Sequence, residues 1–349
     1  DDDMRVDDRA KKYLRWLPVL RADGVDVVLG SYEGSSPNPP LNGLRVQLVD
    51  LVLNLQWLNG LLPEQLLPNR SEENRRARIE YPDYYYDLSR KHTAHLEQPH
   101  WVEPVIASET VREARLRLLH EANRIMSGAP LTRPLASTTP LNPLQDALES
   151  VNRGGCTFIL NPDALINTPN MIVKIQGKEA RRSDMLWAIV NRYYRKLVIK
   201  SVGFPVLHEV RESSSKELDF HKVQGEIVGS AMYAGLTSFL AEHPHHSLEF
   251  NENELKQLES RCQKYLQDRL NRLRKSFYRI RGLTGTLTGL HDADYLSSLI
   301  LQLEQWFTYD NWQQLFTGVT SLEESDLRKF VTSLRTLADD YARAATNEL

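Results

Sequence analysis

Hydrophobic positions along the chain change period several times. Val25 to Gly30 (VDVVLG) is a short, mostly apolar run that predicts a buried strand, and Ser31 to Pro40 (SYEGSSPNPP) carries the glycine, serine and proline of an irregular loop. Leu44, Leu48, Leu51, Leu55 and Leu58 then recur at helical spacing, predicting a helix with one strongly apolar face. From Pro63 to Pro104 the chain is polar and irregular, with an aromatic knot at Tyr81 and Tyr84-Tyr85-Tyr86. Val111, Ala114, Leu118, Ala122 and Ile125 predict another helix, stopped by Ser127-Gly128 and a nearby proline.

A proline-rich loop follows from Pro130 to Pro143. Cys156 to Leu160 (CTFIL), introduced by Arg153-Gly154-Gly155, reads as a strand. Ser183 suits the N-cap of a helix whose buried stripe is Leu186, Ile189, Val190, Tyr193 and Leu197. Val198 to Val202 is the next strand, closing at Phe204-Pro205-Val206-Leu207-His208. Beyond about Leu218 the pattern turns to long helices. One has the stripe Leu266, Leu270, Leu273, Phe277 and Ile280; later ones run near Tyr295–Phe307 and Glu323–Ala345. The division predicted is a mixed α/β part over residues 1–212 and an all-helical part over 213–349. No internal repeat is visible.

Composition narrows this picture only a little. Lys and Arg number 43 against 46 Asp and Glu, a formal charge of −3 that offers no global attraction to nucleic acid. Two cysteines, Cys156 and Cys262, form neither a ligand cluster nor a disulfide framework, which suits a reducing cytosol. No apolar run reaches transmembrane length, so the expectation is a cytoplasmic protein. Within the helical part, Arg269, Arg272, Arg274, Lys275, Arg279 and Arg281 gather beside an apolar stripe. A segment like 269–281 suits contact with an anionic membrane surface or an acidic partner, and equally the solvated face of a packed helix. That admits peripheral membrane attachment.

The chain opens on Asp1-Asp2-Asp3, running straight into Met4-Arg5-Val6. An Asp-x-Asp at a strand end supplies the hard oxygen ligands that a cation bridging a diphosphate needs. Without an initiator methionine, the expected chain is the later part of something longer. Downstream lie a Gly-Gly before a strand, an aspartate at a helix start (Asp184) and a histidine at a strand end (His208).

This series resembles the catalytic half of a GT-A-type nucleotide-sugar glycosyltransferase, closest to the inverting family-2-like enzymes. The resemblance rests on the acidic triplet, RGGCTFILNPDAL (Arg153–Leu165), RRSDMLWAIVNRY (Arg181–Tyr193) and FPVLHEVR (Phe204–Arg211), and covers roughly the first 212 residues. It implies an α/β fold, a GT-A-like mixed sheet with flanking helices whose N-terminal nucleotide-binding strands are missing, followed by the helical region. A fragment lacking those strands is expected to be inactive alone.

The resemblance also implies roles. Asp1 and Asp3 would hold Mn or Mg on the donor diphosphate, with His208 completing the site; imidazole suits Mn better than Mg. Asp184 would take the proton from the acceptor hydroxyl, although Ser183-Asp184 departs from the paired acids usual in the family, and an aspartate in a first helical turn is also favoured by the helix dipole. Gly154 and Gly155 would let the backbone approach the sugar, and Arg181 and Arg182 would meet the phosphates. Trp101 is a candidate platform for a sugar ring, whereas Trp187 reads as core. His243, His245 and His246 read as solvated. The implied partners are a nucleotide-sugar donor and an acceptor of unknown identity, with no nucleic acid. Two alternatives remain: a nucleotidyltransferase of related fold, and a non-enzymatic interaction module working through the helical part.

Overall fold

The computed structural model describes residues 4–35, 40–80, 98–135, 148–149, 157–165, 174–175, 178–179, 183–193, 195–209, 220–317, 319, 328–330, 332–333, 336 and 343. Among these residues the strands are β1 (Met4–Arg5), β2 (Val27–Gly34), β3 (Leu148–Glu149), β4 (Phe158–Leu160), β5 (Lys174–Ile175), β6 (Lys178–Glu179) and β7 (Ile199–His208). The helices are α1 (Ala10–Leu14), α2 (Leu17–Ala22), α3 (Pro40–Asn59), α4 (Ser71–Glu80), α5 (Val111–Glu121), α6 (Pro162–Leu165), α7 (Ser183–Tyr193), α8 (Phe220–Glu242), α9 (Glu252–Thr288), α10 (Ser297–Trp306) and α11 (Tyr309–Thr317).

β2 and β7 run parallel as the central pair of a small mixed sheet ordered β1-β7-β2-β4. β4 lies antiparallel on the free edge of β2, while β1 and β3 both lie antiparallel to β7. Both central strands are buried on each face, which is why they read as near-continuous apolar runs. Alternation divides their side chains between two layers. Val27, Leu29 and Ile199 enter the main core, whereas Val28, Val202, Phe204 and Val206 pack with Ala10, Tyr13 and Leu20 of α1 and α2.

β2 does not stop at Gly30, as its composition suggested. It shifts register between Leu29 and Ser31 and continues, pairing Tyr32 with Val206 and Glu33 with Leu207. Four residues expected as loop are strand because β7 supplies hydrogen-bond partners, a tertiary effect stronger than local propensity. Gly34 ends the strand at φ +79°, and a Cβ there would lie 2.7 Å from the carbonyl oxygen of His208. Both facts require glycine. Pro205, inside β7, falls between the stretches where β3 and β1 pair on the outer edge, so its missing N–H interrupts neither.

α3 also departs from the expectation of a single apolar face. Its leucines 44, 48, 51, 55 and 58 are fully buried, yet so are Gln47, Asp50 and Asn54 on the adjoining side. The helix is the axis of the main core, with α5, α7, α8, α9, α10 and α11 contributing to the same cluster as Leu29 and Ile199. The helices beyond residue 213 therefore share one core with the sheet. The division expected near 212 falls in 210–219, outside the described residues.

The stripe Leu266, Leu270, Leu273, Phe277 and Ile280 of α9 is buried, and so is the α7 stripe at Leu186, Ile189 and Val190, with Trp187 beside it. Thr110 and Glu113 form a capping box that starts α5, and Gly128 at φ +91° closes the 3-10 turn after it. α11 had no counterpart in the sequence reading, and most of the helix expected near Glu323–Ala345 lies outside the described residues, as does the tyrosine knot. The three histidines expected in solvent separate. His245 is exposed, whereas His243 stacks on Phe239 at 4.3 Å and His246 packs on Phe250 at 4.5 Å.

α8 and α9 are in close contact where Gly235 meets Cys262. A Cβ on Gly235 would lie 2.4 Å from the Cys262 sulfur and 2.9 Å from its backbone nitrogen. The same burial pushes the Cys262 thiol up to about 12. Gly235→Ala is expected to lower stability by about 1–3 kcal/mol through overpacking. Urea unfolding at neutral pH measures it; an unchanged midpoint would mean that the helices separate freely.

Candidate functional site

In open α/β sheets, ligands bind beyond the carboxyl ends of parallel strands. Here that end is formed by Gly34-Ser35 after β2 and by His208 at the end of β7. The two are stitched together: the Ser35 N–H donates to the His208 carbonyl at 2.9 Å, and His208 Nδ1 lies 3.0 Å from the Ser35 carbonyl oxygen. A carbonyl only accepts, so Nδ1 carries the proton. In the neutral ring the lone pair then sits on Nε2. A backbone carbonyl holding one ring nitrogen in this way is a support that histidine ligands often have.

β1 arrives at the same end. Met4 pairs with His208 and Arg5 with Leu207, in antiparallel register. Met4 also packs against Tyr32, Val46 and Leu135. Just beyond, Arg9 forms a two-pronged ion pair with Glu33 of β2 while its Nε donates to Asp7 at 2.7 Å. Planar guanidinium–carboxylate pairing of this kind fixes orientation as well as proximity. The segment leaving β1 is thereby held against the end of β2.

Asp184 lies in the first turn of α7, half-buried, with Oδ1 accepting the Met185 N–H at 2.9 Å. The direction of α7 follows from its contacts. Trp187 packs on Phe158 with ring centroids 5.6 Å apart, Phe158 pairs with Leu29, and Leu29 pairs with Ser201. The far end of the helix is tied lower on the sheet, where the Leu197 N–H donates to the Asn191 carbonyl and Val198 N–H to Asp26. α7 therefore runs antiparallel to β7, with Asp184 one turn beyond Trp187, which stands level with Ser201 and well short of His208.

Trp101 sits elsewhere, beside α3 and α4. Trp57 meets it edge-on at 5.1 Å, and the Arg70 guanidinium lies over its ring at 3.7 Å. Asn74 holds the Trp101 backbone on both sides, accepting its N–H and donating to its carbonyl, each at 2.8 Å. One face of the ring is thus used in packing, which gives Trp101 a structural part and leaves it unconnected to the strand ends. Asp1, Asp3, Gly154, Gly155, Arg181 and Arg182 lie outside the described residues. Among the described residues, no three His, Cys, Asp or Glu side chains gather into a metal site.

Sequence reasoning missed what holds this region in place. Asp50 is completely buried and takes a bidentate pair from Arg133, both contacts at 2.7 Å, together with the Thr132 hydroxyl and the His100 N–H, each at 2.9 Å. Burial pushes the Asp50 carboxyl up, against the pull of Arg133. Asn54 donates to the His100 carbonyl and accepts from Val102 N–H, and Gln47 accepts from Leu131 N–H. Two residues after Arg133, Leu135 exchanges backbone hydrogen bonds with Gly34. The signal was present as polar residues spaced i, i+3, i+7 (Gln47, Asp50, Asn54) inside an otherwise apolar helix.

Comparison with known proteins found no matching family model, no matching curated protein and no matching solved structure.

His100 gives this hub a pH dependence. Its ring is almost fully buried and neither nitrogen makes a well-formed hydrogen bond, the Thr132 backbone being a marginal partner. Burial, then the charges of Arg133 and Arg78, pull its pKa down from 6.5 to about 4. Neutral His100 is therefore the folded form, and the unfolded chain takes up a proton that the folded chain refuses between those values. Its contribution to stability is complete above pH 6.5 and is lost as pH falls toward 4. His100→Phe removes this term. Relative to the parent, it is expected to gain about 2 kcal/mol between neutral pH and about pH 5. Paired urea titrations at the two pH values check it; parallel losses in both proteins would contradict the assignment.

Proposed function

We propose that the chain is the catalytic part of a metal-dependent glycosyltransferase of GT-A type, moving a sugar from a nucleotide-diphospho-sugar to an acceptor hydroxyl with inversion. The observation that carries this reading is the pairing of Met4 with His208. Asp3 is bonded directly to Met4, and consecutive Cα atoms are about 3.8 Å apart. The strand residue that follows the acidic triplet thus pairs with His208, about 200 residues away in sequence, and this register supports the reading.

In this reading Asp1, Asp3 and His208 Nε2 hold Mn or Mg. The bound cation supplies Lewis-acid stabilisation of the charge that builds on the departing diphosphate. Mixed oxygen and nitrogen ligation favours Mn over Mg. Asp184 accepts the proton of the acceptor hydroxyl as its oxygen forms a bond to the anomeric carbon. The bond from that carbon to the diphosphate oxygen breaks with its electron pair, on the opposite face of the sugar, and inversion follows. In this reading the carboxylate that takes the proton sits in the first turn of α7, where its Oδ1 also accepts the Met185 N–H.

The test uses the full-length protein with Mn and a panel of nucleotide-sugars, reading both hydrolysis and transfer. Asp184→Asn is expected to lower turnover on the order of 100-fold or more while leaving donor binding intact. Asp3→Ala abolishes the Mn requirement along with activity. His208→Ala weakens Mn activation by about 10–100-fold. Thermal melts establish that each variant is folded. Unchanged activity in both aspartate variants would remove the assignment.

A further inference from the structure

The face of α9 turned away from the core has a character that the proposed reaction does not use. Residues 269–291 contain six Lys and Arg and no Asp or Glu. The cations have different fates. Arg269 points inward and donates to the Ser230 carbonyl at 2.9 Å, which corrects its expected place on the surface, and Arg272 and Arg279 have partners within the fold. Arg274, Lys275 and Arg281 are exposed and make no ion pair among the described residues.

These three share one side of the helix with Tyr278, because positions 274, 278 and 281 are one and two turns apart and 275 lies beside them. The buried stripe Leu266, Leu273, Phe277 and Ile280 occupies the opposite side. Nothing described covers this face further along: a Cβ added to Gly282 or Gly285 would meet no atom within 4 Å. Tyr278 is 57% exposed, with its ring 6.1 Å from Trp312. One turn before Trp312 on α11, Tyr309 is 61% exposed as well.

We propose that this face, formed by Arg274, Lys275, Tyr278 and Arg281 with Tyr309 beside it, docks the protein on an anionic lipid surface. Unpaired cations without intervening acids are complementary to a negatively charged leaflet. Exposed phenol rings suit the headgroup layer, where one end of the ring is apolar and the other wet. The contact is peripheral, since no helix of the described residues is long and apolar enough to cross a membrane. This inference stands apart from the proposed reaction, and neither depends on the other.

Sedimentation of the whole chain with phosphatidylcholine vesicles, with and without about one third phosphatidylglycerol, tests it. Binding is expected only to the anionic vesicles and to weaken as salt is raised. Reversing all three charges (Arg274→Glu, Lys275→Glu, Arg281→Glu) should lower partitioning by well over about 100-fold. The neutral triple replacement by Gln should fall between, and melts of both variants should match the parent. Equal binding to uncharged vesicles, no binding, or indifference to charge reversal would overturn the proposal. Tight binding of polyglutamate or of a single-stranded oligonucleotide with no vesicle binding would assign the face to another partner, and would overturn it too.

Discussion

The buried pair between Asp50 and Arg133 is the contact on which the rest of the molecule's order depends. A helix through the middle of a core would ordinarily be apolar all round. α3 instead turns Gln47, Asp50 and Asn54 toward peptide groups of the 98–102 and 131–133 segments. These segments lack a regular ladder of their own, so α3 side chains satisfy backbone groups that burial would otherwise leave unpaired. Leaving either charge alone in that interior costs on the order of 3–5 kcal/mol, so the pair persists as a unit. Its geometry also fixes register. Arg133 reaches Asp50 with both nitrogens, and Leu135 then meets Gly34 at the end of β2.

From Gly34 the order passes to the site. Glycine is required there by backbone conformation and by the closeness of the His208 carbonyl, and the next residue, Ser35, both donates to that carbonyl and accepts from the ring. A chain of backbone and side-chain hydrogen bonds thus runs from the centre of α3 to the imidazole. In the proposed reaction this would be the supporting layer of hydrogen bonds on rigid elements that a catalytic group needs. Arg9 and Glu33 do the same for the segment leaving β1.

Much of this fold was legible where periodicity decides. The α7 and α9 stripes, the strand at Val27 and the strand leading to His208 all follow from which residues must be buried. The β2 extension was not legible, because Tyr32 and Glu33 become strand through pairing with Val206 and Leu207, which no local pattern announces. Nor was the polar side of α3, since a helical repeat of leucines hides the fact that the adjoining face is buried too. The His243–Phe239 and His246–Phe250 contacts were invisible because a polar loop looks solvated until its aromatic neighbours are placed. For the candidate site, the sequence offered residue types and their order, whereas the pairing of Met4 with His208 is a spatial relation that sequence cannot supply.

α9 is about 55 Å long at the usual rise per residue, and its buried stripe joins the cluster that also holds Leu29, Ile199 and the leucines of α3. Arg45 of α3 reaches Ser276 of α9 at 3.4 Å, so the contact is polar as well as apolar. A core shared across both regions of the chain leaves no seam for them to melt separately. The helical region is then part of the thermodynamic unit that keeps the strand ends aligned, and heat should take the sheet and the bundle apart in one cooperative transition.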